Sequence, residues 1–242
     1  MRKGTPLLIA LLFVSAILNA RFVYNHYKVA QCSGPGGTVE ASIDQRRKDG
    51  KIALLNNLQI DSMDVVFAGS SLTEGFSVTE LFNDIHEKNR GISGGTLDDL
   101  IAIMPKVIAG RPKKIFIEIG VNDLKNNIDH VESARLAFVA GYRKMLDTLR
   151  QGSPSTSVYI EGLLPVNENY FHDQTALMND VIDETNKNLD SLAALTHVAY
   201  IDLHSAFSQN GKMPEQYSTD GLHLNDAGYR IWFDKVKFSV LK

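Results

Sequence analysis

The chain of 242 residues is long enough for one sizeable domain and an appendage, and its 44% hydrophobic and 22% charged content is that of an ordinary globular protein. Lysine and arginine number 25 against 28 aspartates and glutamates, a formal net charge of −3. With no block of like charge and no basic face interleaved with aromatics, a nucleic-acid partner is not expected.

The N-terminus differs from the rest. Arg2 and Lys3 precede an apolar stretch, PLLIALLFVSAIL, from Pro6 to Leu18. A charged start followed by a short apolar core is the pattern of a secretory signal. The stretch reaches membrane-spanning length only if Asn19–Tyr24 is recruited. Leu18-Asn19-Ala20 is a poor cleavage site, so residues 1–24 read as an uncleaved signal-anchor, with a cleaved signal peptide as the alternative. Basic residues at the extreme end would keep it cytoplasmic and send the domain outside, so the expected location is extracytoplasmic. Cys32 is the only cysteine, which excludes an internal disulfide and a thiolate metal cluster. It opens CSGPGGT, a turn-rich stretch within a linker over residues 25–38, and the folded domain occupies residues 39–242.

Within that domain, short apolar runs fall at Asp64–Ala68, Lys114–Ile119, Ser157–Ile160 and Val198–Ile201, with a weaker one at Ile85–Gly91. Between them, apolar residues recur three and four apart. Leu97, Leu100, Ile101, Met104 and Val107/Ile108 form one such face. A second is Val131, Ala134, Phe138, Tyr142, Met145 and Leu149, and a third is Leu177, Val181, Ile182, Leu189 and Leu192. Continuous apolar strands alternating with amphipathic helices predict a three-layer α/β/α sandwich, flavodoxin-like, around a five-stranded parallel sheet. In such sheets the ligand crevice lies beyond the carboxyl ends of the strands.

Three polar, glycine-bearing segments fall at those carboxyl ends, GSSLT (69–73), NRGISGGT (89–96) and GVNDL (120–124), and a fourth, STDGLHLNDAGY (218–229), precedes the last helix. A serine hydroxyl attacks only when a base removes its proton and a third group orients the base. Ser71 at a strand-to-helix turn, His223, and Asp220 three residues before it supply those roles. Unpaired N–H groups and the helix dipole at that turn would favour negative charge. The carboxamide of Asn122 and the backbone N–H of Gly94 could stabilise a tetrahedral oxyanion. Each piece alone also fits a turn residue, a cap or a packed histidine. Their coincidence on one sheet edge points to a site.

These four segments resemble the blocks of the SGNH or GDSL hydrolases, a family of esterases and lipases, from about Ser62 to Tyr229 and in the family's order. FAGSSLTEG (67–75) is similar to the Gly-Asp-Ser-Leu block, NRGISG (89–94) to the glycine block, GVND (120–123) to the asparagine block and DGLH (220–223) to the Asp-x-x-His block. The resemblance implies Ser71 as nucleophile, Asp220 and His223 as the rest of a catalytic triad, and an oxyanion hole of the Ser71 N–H, the Gly94 N–H and Asn122. Ser70 stands where the family has aspartate. That aspartate is no part of the triad, so the chemistry is expected to survive.

The stretch from Gln45 to Gly75 and the glycine block look like the branch of sialate O-acetylesterases and platelet-activating-factor acetylhydrolase relatives. That implies a small acyl group, acetyl, removed from a sugar hydroxyl of a small-molecule ester. The alternatives are a lysophospholipase or thioesterase acting on lipid acyl esters beside the membrane anchor, and a non-catalytic membrane-tethered binding domain. Asp202 and His204 in YIDLHSAF could form a second pair on one face, structural in role, and Trp232 reads as core packing of the last helix. His26, His86, His130, His172 and His197 show no ligand spacing, so no metal or other cofactor is implied.

Overall fold

A computed structural model describes residues 39–82 and 86–241. The expected signal-anchor (1–24) and linker (25–38) lie outside the described residues. Among the described residues, no helix is long and apolar enough to cross a membrane. One compact unit spans Lys48–Lys242, and a separate unit ends at Arg47.

Five strands form one parallel sheet: β1 (Val65–Gly69), β2 (Glu87–Gly91), β3 (Lys114–Glu118), β4 (Ser157–Glu161) and β5 (Ala199–Ile201). Their order across the sheet is β2-β1-β3-β4-β5, the flavodoxin-like doubly wound arrangement. The expected apolar runs and the observed strands agree to within two residues at each end.

The runs are continuous because both faces of the sheet are covered. Val66, Ala68, Ile115 and Ile117 pack into a core with three long helices, α4 (Leu97–Gly110), α6 (Val131–Gly152) and α8 (Thr175–Thr196). The alternate residues, Val65, Phe67 and Phe116, face the other way, toward α10 (Asp226–Leu241) and the short helices α3 (Val78–Phe82) and α9 (His204–Phe207). The remaining helices are α1 (Val39–Asn57), α2 (Ser71–Glu74), α5 (Val121–Lys125) and α7 (Glu168–Phe171). Trp232 is fully buried and stacks on Phe76 with ring centroids 5.0 Å apart, as core packing requires.

The helical faces need two corrections. Ile101 and Leu177, expected inside, are 38% and 46% exposed. Ile103 and Met178 take the buried positions instead. On α4 the buried stripe is Leu97, Leu100, Ile103, Met104 and Val107, so four expected positions hold and Ile103 replaces Ile101 at the edge of the face. Helix α1 carried no periodic apolar face and was not expected as an element. From Lys48 onward it is tied down by few contacts: Leu55 in the core, Lys51 on Glu74 at 2.6 Å and Lys48 on Asp99 at 3.0 Å.

Candidate active site

β1 ends in Gly69 and the chain turns at once into α2 through Ser70 and Ser71. Ser70 is the N-cap, its hydroxyl accepting from the Leu72 N–H at 3.3 Å. It is also wholly buried, and it donates to Glu118 Oε2 at 2.9 Å. The family motif has a carboxylate at this place in the chain. Here a serine takes the place and borrows a carboxylate from the end of β3. Ser71 is the next residue and projects the other way. Because α2 is a single turn, its dipole is small, and local N–H groups rather than a long macrodipole would meet negative charge there.

His223 comes from the opposite end of the chain. Its Nε2 lies 3.0 Å from Ser71 Oγ, and its Nδ1 lies 2.7 Å from Asp220 Oδ2. The other carboxylate oxygen, Oδ1, accepts from the backbone N–H groups of Leu222 at 2.9 Å and His223 at 2.8 Å. Partial burial acts to raise the Asp220 carboxyl, but the His223 side chain and these backbone donors together hold it below the ordinary aspartate value. It therefore stays ionised beside the imidazole.

The DGLH loop is braced on both sides. Ser218 Oγ donates to His223 O at 2.8 Å and accepts from Gly221 N at 2.7 Å. Gly221 has φ +96°, and a Cβ there would meet Asn167 Oδ1 at 2.1 Å. Asn167, from the loop after β4, donates its backbone N–H to Gly221 O at 3.0 Å. What carries His223 to Ser71 is α10, which starts just after the loop. Tyr229 donates to Leu72 O at 2.9 Å, and Tyr229 and Trp232 both stack on Phe76. Each such ring pair is worth about 0.5–1.5 kcal/mol beyond the area it buries.

The glycine and asparagine blocks meet on the same edge. Gly94 has φ +65°, a left-handed turn open to glycine at no steric cost. Asn122, buried at the start of α5, donates one amide hydrogen to Gly95 O at 2.9 Å. A carboxamide carries two such hydrogens, so one is left to donate elsewhere. Asp123 accepts from Leu97 N at 3.1 Å and fixes the far end of the glycine block; burial pushes its carboxyl up to about 6. Asn89, at the block's start, donates to Thr73 O at 2.6 Å and Phe76 O at 3.1 Å, holding α2 against β2.

The structure thus brings Ser71, His223 and Asp220 into one line and ties the Gly94 loop to Asn122. It does not join Asp202 to His204. Asp202 instead accepts from Ser205 N at 2.9 Å, while His204 Nε2 lies 3.1 Å from Asp183. One group of possible metal ligands exists among the described residues, Asp61, Asp64 and His86, whose donor atoms lie within 4.8 Å of one another. It sits at the opposite end of β1 and β2, where Lys88 Nζ, 3.3 Å from Asp64 Oδ1, already supplies positive charge.

Sequence reasoning missed Glu118, Asn167 and Tyr170. Tyr170, on α7, sets its ring edge-on to His223 with centroids 6.4 Å apart. Glu118 and Glu161 at the ends of β3 and β4 could have been suspected, as charged residues closing otherwise apolar strands. Both are fully buried. Burial pushes Glu118 up to about 7, although the Ser70 hydroxyl acts to lower it. Burial likewise pushes Glu161, which accepts from Trp232 Nε1 at 2.8 Å, up to about 8.

Among solved structures, a protein of Streptococcus pneumonia provisionally assigned as a platelet activating factor is 24% identical, with a TM-score of 0.72, covering 82% of this chain and 95% of that one. A GDSL-like lipase of Bacteroides thetaiotaomicron is 21% identical, with a TM-score of 0.66, covering 82% and 97%. The acetylxylan esterase Axe2 of Geobacillus stearothermophilus is 20% identical, with a TM-score of 0.59, covering 74% and 96%. At these identities the likeness is one of fold. A curated relative, the N-acylneuraminate cytidylyltransferase of Escherichia coli O18:K1:H7, is 26% identical over 209 residues, 81% of this chain. The chain spans about half the length of that protein, 47%. The model of the GDSL-like lipase/acylhydrolase family matches residues 67–231, most of the chain. The protein belongs to the GDSL-like lipase/acylhydrolase family.

Proposed function

We propose that the protein removes small acyl groups, acetyl above all, from hydroxyls of carbohydrate, through an acyl-enzyme on Ser71. The observation that carries the reading is the unbroken contact from Ser71 Oγ to His223 Nε2 to Asp220, at 3.0 and 2.7 Å. His223 Nε2 takes the hydroxyl proton as Oγ attacks the ester carbonyl carbon. Asp220 holds Nδ1–H and compensates the imidazolium. The Ser71 and Gly94 N–H groups and the remaining Asn122 amide hydrogen stabilise the oxyanion. Collapse of the tetrahedral intermediate breaks the bond to the sugar oxygen, which leaves with the proton from Nε2. Water, deprotonated by the same nitrogen, then attacks the acyl-enzyme and releases the acid and free Ser71.

Carbohydrate as the acyl acceptor is supported by the acetylxylan esterases among the structural neighbours and by the curated relative, named for a sugar, N-acylneuraminate. The apolar N-terminal segment supports an extracytoplasmic position at a membrane surface. Labelling with a fluorophosphonate tests the chemistry. Wild type should be modified and Ser71→Ala should not, and a wild type that neither labels nor hydrolyses a simple acetyl ester would end the reading. Comparing acetylated sugars with medium-chain acyl esters tests the substrate: preference for the long chain would favour a lipid acyl ester instead.

A further inference from the structure

The residues around the triad leave one charge unaccounted for. Lys125 closes the short helix α5, three residues after Asn122, so the two sit on one side of a single helical turn, with Cβ atoms about 5–6 Å apart. Its ammonium donates to the hydroxyl of Tyr170 and lies 4.7 Å from the centre of that ring. The same ring meets His223 edge-on. Lys125 therefore shares a helical turn with Asn122 and an aromatic partner with His223.

No carboxylate neutralises it among the described residues. Asp123, two positions back, is turned inward onto Leu97 N. Glu168, which begins α7 and could have reached across, is paired with Lys212. A half-buried ammonium whose partners are a phenol and a π face has no counter-ion in those contacts and keeps spare donors. An acetyl group carries no polar atom beyond its carbonyl, so any charge on the substrate that meets Lys125 has to come from the alcohol half of the ester.

We propose that Lys125, positioned by Tyr170, is an anion-recognition subsite that selects acetylated sugars bearing a negative charge close to the ester. This rests on the acetylesterase reading and narrows it to acidic acceptors. The anion could be the carboxylate of a sugar acid or a phosphate on the sugar. The geometry asks only for an acceptor that forms a charge-assisted hydrogen bond with the ammonium.

The test measures acetate release by the full-length protein from three substrates: an O-acetylated uronic acid methyl glycoside, its neutral uronamide, and an O-acetylated sugar phosphate. Wild type should favour at least one acidic substrate over the uronamide by about tenfold or more in kcat/KM, the worth of one charge-assisted bond. The better of the two identifies the source of the anion. Lys125→Met should bring the ratio close to one, and Lys125→Arg should preserve a preference. Rising salt should shrink the wild-type ratio, a readout that survives even if Lys125→Met fails to fold. A wild type that treats acid, phosphate and uronamide alike overturns the subsite, and so does a salt-insensitive ratio or a preference that persists in Lys125→Met. Fluorophosphonate labelling run alongside separates the failures. A labelled enzyme without charge preference refutes only the subsite, whereas an unlabelled wild type refutes the esterase reading beneath it.

Discussion

Replacing Glu118 with glutamine separates two things its carboxyl does, receiving the Ser70 hydrogen bond and carrying a titratable proton into the core. Burial raises the carboxyl from 4.5 to about 7, so the folded protein holds this proton where the unfolded chain has released it. The stabilisation from that proton is fully present below pH 4.5 and is lost as pH rises to about 7. At about 1.36 kcal/mol per pKa unit, the loss comes to about 3 kcal/mol, a large part of an ordinary domain's stability. Glu161, raised from 4.5 to about 8 by burial and then by the charge of Glu118, extends the decline to about pH 8. Glutamine keeps an oxygen for Ser70 Oγ and carries no proton to lose. Urea unfolding followed by the fluorescence of Trp232, the only tryptophan and a fully buried one, reads the effect. Wild type should lose stability steadily between pH 4.5 and 8, and Glu118→Gln should remove most of the slope below about pH 7 while leaving the Glu161 part. An unchanged slope in Glu118→Gln would refute the assignment of a buried, protonated acid beneath the nucleophile turn.

Two further outcomes follow from the site. Asn122→Ala should lower kcat by about a hundred- to a thousandfold with little change in KM, because the lost donor acts on the oxyanion; a loss confined to KM would assign Asn122 to substrate binding instead. Gly221→Ala forces a side chain into a backbone at φ +96° and against Asn167 Oδ1, 2.1 Å from the new Cβ. It should destabilise by about 1–3 kcal/mol and displace His223, and a variant with wild-type melting temperature and turnover would show the loop tolerates the strain.

Much of this molecule was legible along the chain. The runs VVFAG and KIFIE announce buried parallel strands because each is covered on both faces, whereas SVYIE is buried only at its carboxyl end. GSSLT, NRGISGGT, GVNDL and DGLH were readable for a related reason. Each concentrates turn chemistry and reactive groups within a few residues, so local spacing alone marks them. The phase of the helices was harder. Ile101 and Leu177 satisfy a three-and-four spacing, but which arc of a helix meets the sheet is set by the sheet.

Sequence by itself determined the strands, the four loops and the chemical types gathered in them, since backbone preference and side-chain chemistry act over a few neighbouring residues. Tertiary structure alone decided how those loops join. Ser70 finds its carboxylate 48 positions away in Glu118, and Ser71 meets an imidazole 152 positions away because α10 packs its aromatics on Phe76. Tyr170, on α7 in the connection after β4, likewise comes to the edge of His223 and accepts from Lys125 through tertiary packing. Contacts of this kind leave no period or spacing behind, because the packing of distant elements, and no local preference, determines which side chains converge.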